Sequence, residues 1–133
     1  MTKALFVCVE NSCRSQMAEA FARALGGPGL EVWSAGSRSS GEINPRAVAV
    51  MKEKGIDLGG QRSKGISELP PGVWDYVITM GCGDACPHIP AKRRVEWQIP
   101  NPSGQSFEFF REVRDQIEGH VKQLLLMIQE MRE

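Results

Sequence analysis

The chain has 133 residues, and its 16 lysines and arginines balance 16 aspartates and glutamates, so its formal net charge is zero. That length suits one domain spanning residues 1–133, and the balanced charge, with few aromatics and none interleaved with basic residues, argues against a nucleic-acid partner. No apolar run approaches the ~18 residues that span a bilayer and no N-terminal stretch has signal-peptide order, so a cytoplasmic chain with no membrane association is expected, in which the four cysteines are catalytic, redox or metal-binding rather than structural disulfides.

In chain order, Ala4-Leu5-Phe6-Val7 is an apolar, β-prone run, and Met17, Phe21 and Leu25 lie four apart, the spacing of one helix face. Between them, Cys8-Val9-Glu10-Asn11-Ser12-Cys13-Arg14-Ser15 is the turn from strand to helix. Such a turn offers unpaired N–H groups and the positive end of a helix dipole, which suit it to wrap a tetrahedral oxyanion. Arg14 adds a bidentate clamp. Cys8 stands as a nucleophile in electropositive surroundings, and Ser15 is placed to donate to its sulfur. Cys13 is expected to contribute a backbone amide while its sulfur packs or stays idle.

Glu31 to Ser34 reads as a second strand and Gly36 to Gly41 as a loop. Asn44 caps the next helix, Pro45 opens it and Gly55 stops it. Ser67-Glu68-Leu69, before Pro70-Pro71, is at most a helical turn. Trp74 to Thr79 is a third strand and Arg94 to Trp97 a fourth, preceded by the basic cluster Lys92-Arg93-Arg94, a solvated face. Phe107, Phe110, Val113, Ile117, Val121, Leu124, Ile128 and Met131 form the apolar stripe of a long helix packed on the sheet. This alternation predicts an α/β fold with a parallel sheet, right-handed crossovers and helices on both faces. Ligands of such sheets bind beyond the carboxyl ends of the strands, where Cys8 and Cys82 both fall.

On the pattern Cys8-x5-Arg14-Ser15, the sequence resembles the low-molecular-weight protein tyrosine phosphatase family. The text from Cys8 to Phe21 is most similar to the arsenate reductases that share its fold. Ser34-Ala35-Gly36, Asn44-Pro45, Gly55-Ile56-Asp57 and Trp97 with a late proline-containing loop follow in the family's order. The resemblance implies a three-layer sandwich around a four-stranded parallel sheet in the order 2-1-3-4. It also implies an oxyanion held by Val9, Glu10, Asn11, Ser12, Cys13 and Arg14, a monomer, and no cofactor.

The activity implied by this resemblance is conversion of arsenate to arsenite through three thiols. Cys8 attacks arsenate, Cys82 takes over the adduct so that arsenite leaves with a Cys8–Cys82 disulfide, and Cys86 resolves that bond into Cys82–Cys86. Were the glycine-rich segment around Cys82 and Cys86 helical, Cβ atoms four residues apart would stand about 5–6 Å from one another, wider than the ~3.8 Å of a disulfide. The segment is therefore expected to adjust on oxidation. Thioredoxin is the external reductant by resemblance, with a glutaredoxin and glutathione system as second choice. Cys82, Cys86 and His88 lack an evident fourth ligand and His120 falls in the long helix, so no metal is expected.

The rival activity is hydrolysis of phosphotyrosine or small phosphate esters. Family phosphatases place an aspartate before a proline in a late loop as general acid, whereas this chain has Asn101-Pro102. An amide cannot serve as that acid; natural variation, an engineered substitution and another acid such as Glu96 or Asp84 are the open readings. A noncatalytic anion sensor is a third reading, against which the two extra thiols argue.

Overall fold

The computed structural model describes residues 1–81 and 89–132. The elements run β1 (Thr2–Cys8), α1 (Arg14–Gly26), β2 (Leu30–Gly36), α2 (Pro45–Lys52), a 3-10 turn (Ile66–Glu68), β3 (Trp74–Met80), β4 (Ala91–Trp97) and α3 (Phe107–Arg132). The four strands form one parallel sheet in the order β2-β1-β3-β4, as the family resemblance implied. Cys82 and Cys86, with Asp84 and His88, lie outside the described residues.

Alternate side chains of β1 sort to the two faces, as the period of a strand requires. Ala4, Phe6 and Cys8 join Met17 and Phe21 of α1, Val50 and Met51 of α2, and Phe110, Val113, Ile117, Val121, Leu124 and Ile128 of α3 in the larger core. Leu5 and Val7 face the other way, with Trp74, Val77 and Ile89, against Ile66 and Leu69. Among the described residues the layers are thus unequal. Three α-helices cover one face, and the opposite face receives the short turn that Pro70-Pro71 keeps from extending.

Elements are longer than their apolar signals. β4 starts at Ala91, because Lys92, Arg93 and Arg94 hide a strand that is charged and exposed; charge on an edge strand guards it against pairing with another chain. Helix α2 begins as expected, with Asn44 Oδ1 accepting from the Arg46 N–H at 2.9 Å and Pro45 at its first position. The helical stripes fail at their ends. Leu25 is 49% exposed, since the close packing in that turn belongs to Gly26 against Leu30 and Leu125. Phe107 lies outside the core beneath the guanidinium groups of Arg46 and Arg111, and Met131 is exposed.

Candidate active site

β1 delivers Cys8 to the carboxyl edge of the sheet in register with Gly36, the last residue of β2. A Cβ on Gly36 would stand 2.5 Å from the Val9 carbonyl and 2.9 Å from the Asn11 nitrogen, so only glycine lets the turn after β1 fold this close. Asn11 itself has φ 52°, a left-handed conformation that asparagine tolerates better than most residues. The chain then enters α1 through Cys13, whose side chain makes no capping hydrogen bond.

Carbonyl partners orient the turn. The segment after β2 runs alongside it, with N–H groups of Ser37, Arg38, Ser40 and Asn44 donating to the carbonyls of Cys8, Val9, Glu10 and Ser12 at 2.7–3.1 Å. The Asn11 carbonyl accepts from Gln16 Nε2 at 3.0 Å. Among the described residues every peptide bond is trans. In a planar trans peptide the carbonyl of one residue and the N–H of the next point in opposite directions. Pinning the carbonyls of residues 8–12 therefore turns the N–H groups of Val9 through Cys13 away from those partners.

Beneath the turn lies a fully buried polar network centred on Asn11. Its Oδ1 accepts from the Lys64 backbone N–H and from Gln16 Nε2, both at 2.8 Å, which fixes the amide orientation. Its Nδ2 then donates to Ser15 Oγ at 2.8 Å and to Ser34 Oγ at 3.0 Å. Each serine oxygen, having accepted from the amide, directs its own proton elsewhere. Ser34 donates to Glu19 Oε1. Ser15 Oγ lies 2.8 Å from Cys8 Sγ, and toward a thiolate, which has no proton to give, the hydroxyl is the donor. Glu19 is further held by Arg23 at 2.5 Å and by Lys64 Nζ at 3.8 Å. Burial pulls the Lys64 ammonium below its ordinary pKa, against the Glu19 carboxylate, which raises it.

Arg14, only 6% exposed, donates from Nη1 to the Ile99 carbonyl at 3.1 Å. Gly81, at φ 74°, leaves room for this guanidinium, which a Cβ there would strike. Cys8, Arg14, Ser12 and Cys13 border a cavity of about 10 Å³ together with Glu10 and Asn101. A cleft of about 800 Å³ shares Glu10, Arg14 and Asn101 and opens past Arg38 and Ser103. Burial pushes the Cys13 thiol up to about 11, so this second sulfur is kept protonated.

Asn101 is exposed, and its Oδ1 accepts from the Ser103 N–H at 3.1 Å. Its side chain borders both the cavity and the cleft. Glu96 is exposed on β4 and borders neither the cavity nor the cleft. His120 stacks on Trp97, ring centroids 5.0 Å apart, in a structural contact. Sequence reasoning placed Cys8, Arg14 and Ser15 together but missed Gln16, Glu19, Ser34 and Lys64 beneath them. Ser34 carried a signal in the Ser34-Ala35-Gly36 motif, and Gln16 and Glu19 lie within the Cys8-to-Phe21 text; Lys64 carried none.

The model of the family described as low molecular weight phosphotyrosine protein phosphatase matches residues 3–133. The chain belongs to that family. Within it, this phosphatase-family chain is 44% identical over 131 residues to a glutaredoxin arsenate reductase of Synechocystis sp., covering 96% of this chain and 99% of the relative. A solved structure described as an arsenate reductase in the phosphate binding state superposes with a TM-score of 0.85 at 42% identity, covering 96% of this chain and 99% of that one. An arginine phosphatase from Geobacillus stearothermophilus superposes with a TM-score of 0.82 at 28% identity, over 99% and 96% of the two chains. Among the described residues of this chain, no helix is long and apolar enough to cross a membrane.

Proposed function

We propose that this chain is an arsenate reductase. The observation that carries the reading is the sulfur of Cys8, 2.8 Å from a Ser15 hydroxyl that the Asn11 amide holds in place, in one cavity with Arg14. The N–H groups of Val9 through Cys13 and the Arg14 fork hold the arsenate oxygens, as a helix N-terminus and a guanidinium hold any tetrahedral oxyanion. Ser15 stabilises the Cys8 thiolate. The 44% identity to a named arsenate reductase along nearly the full length of both chains favours arsenic over phosphorus chemistry.

Cys8 displaces one oxygen of arsenate, which leaves as water, and forms a sulfur–arsenic bond. The Cys82 thiolate then attacks the Cys8 sulfur. The sulfur–sulfur bond forms as the sulfur–arsenic bond breaks, and its electron pair stays on arsenic, so arsenite departs. Cys86 attacks Cys82 and frees Cys8, storing the oxidation as Cys82–Cys86. Two thiols are oxidised for each arsenate reduced. The name of the Synechocystis relative moves a glutaredoxin and glutathione system ahead of thioredoxin as the reductant.

Phosphate ester hydrolysis is the second reading, favoured by the family and by the arginine phosphatase neighbour. Asn101 weighs against it, because the side chain that borders the cleft at this position is an amide, which cannot protonate a departing alkoxide. Arsenate brings exchangeable protons of its own and depends less on such an acid. The test supplies arsenate with either the glutaredoxin or the thioredoxin system and follows nicotinamide oxidation beside a chromogenic phosphate ester. Arsenate-dependent consumption that Cys82→Ser abolishes supports the reductase; ester turnover without consumption replaces it with the phosphatase.

A further inference from the structure

At the mouth of the cleft stands a second guanidinium that neither the motif nor the buried network includes. Arg38 borders the cleft together with Arg14, Glu10 and Asn101. Its backbone is fixed to the oxyanion turn: the Arg38 N–H donates to the Val9 carbonyl at 2.7 Å, flanked by Ser37 on Cys8 at 3.1 Å and Ser40 on Glu10 at 3.0 Å. Ser39 Oγ, next in the chain, lies 2.8 Å from Ser63 Oγ. The side chain, by contrast, is exposed and makes no hydrogen bond or ion pair with any described residue. A long cation is thus mounted on a rigid base beside the site and left uncommitted.

The charges facing the cleft explain what this cation does. An incoming oxyanion dianion meets the exposed Glu10 carboxylate, which repels it, and an Arg14 that is 6% exposed and partly engaged with the Ile99 carbonyl. Glu10 and Arg14 alone nearly cancel at the entrance. We propose that Arg38 is the capture residue of this enzyme: it makes the mouth net positive, draws the oxyanion in and passes it to Arg14, and so sets the KM for arsenate rather than the rate of the chemical step. Charge lining a cleft raises the association rate of an oppositely charged ligand, and the effect fades with ionic strength. Contacts made in the encounter but not strengthened in the transition state act on KM and leave kcat.

The inference rests on the oxyanion chemistry proposed above, and its test is separable from it. In arsenate turnover at low salt, Arg38→Gln is expected to raise KM roughly five- to tenfold with kcat within about twofold of wild type. Its log(kcat/KM) should fall less steeply with added salt. Arg38→Lys should recover most of the loss. Inorganic phosphate binding to the Cys8→Ser protein, measured by calorimetry with and without Arg38→Gln, reads the same capture without any turnover, and weaker binding in the double variant is expected. An unchanged KM and phosphate affinity overturn the proposal, as does a loss in kcat that Arg38→Lys fails to restore, which would mark a structural role. Absence of arsenate turnover in the wild type would sink the reductase reading alone, since the phosphate measurement still decides the role of Arg38.

Discussion

The floor and the mouth of the cleft are built on opposite principles. Below Cys8, Asn11, Ser15, Gln16, Ser34 and Glu19 are at most 4% exposed and each is tied by directed hydrogen bonds. At the mouth, Glu10, Arg38, Asn101 and Ser103 are exposed, and the only side-chain bond among them is that of Asn101 to its own turn. A floor whose polar side chains are all paired holds the proposed nucleophile in one place. Loosely held charges at the entrance can change without disturbing it. Substitutions below should therefore damage chemistry and folding together, and substitutions above should alter affinity or reaction preference in a folded protein.

Cys8→Ser makes the sharpest break, since it removes the sulfur proposed to attack and leaves the network in place. Arsenate-dependent reductant oxidation should fall to the uncatalysed background while the melting temperature stays near wild type. Asn101→Asp sits at the mouth and should raise chromogenic ester hydrolysis by about 10²-fold or more, within the span that general acid catalysis covers. No change in hydrolysis would mean that this turn does not face the leaving group. Ser15→Ala removes the hydroxyl beside Cys8, and kcat/KM for arsenate should drop roughly 10–100-fold, the scale of a lost hydrogen bond to a charged group. Alkylation of Cys8 by iodoacetamide near neutral pH should slow in parallel.

Ser34→Ala tests the depth of the floor. It strands an Asn11 N–H and a Glu19 oxygen in a buried setting and should cost about 1–3 kcal/mol in urea unfolding. A smaller loss than the Arg38 variants show in unfolding would erase the distinction between the two levels. The effect confined to alkaline pH concerns Cys13. Its thiol is raised by burial from an ordinary 9.0 to about 11, so the folded state holds its proton where the unfolded state releases it. The stability so conferred is complete below about pH 9 and is lost as pH rises towards 11, a change of about 2–3 kcal/mol at most. Unfolding of Cys13→Ala at pH 8 and pH 10.5 should show a flatter alkaline decline.

The contrast also explains what could be read in the amino-acid sequence. Strand β1, the turn and helix α1 were legible because an apolar run, a thiol and arginine six apart and a helical period are all local signals. Asn44-Pro45 was legible for the same reason, as cap and first helical residue. Asn11 reads only as one member of the oxyanion turn: its role beneath that turn arises from the Lys64 backbone, 53 positions away, which sets the amide, and no spacing rule reports such a meeting. Leu25 shows the converse failure, for a correct period does not say where the neighbouring surface ends. Arg38 lay in a serine- and glycine-rich stretch whose composition says loop and nothing about what the loop borders.

The run from Ser37 to Asn44, whose amides occupy the carbonyls of residues 8, 9, 10 and 12, carries a lesson for transplantation. The famous octapeptide is half of a two-strap buckle. Grafted by itself onto another strand and helix, it would lose the outer strap and its peptide planes would be free to rotate, emptying the bowl of its donors. Moved together with the stretch after the second strand, at unchanged length, the bowl should survive in a foreign scaffold even with the side chains of that strap rewritten.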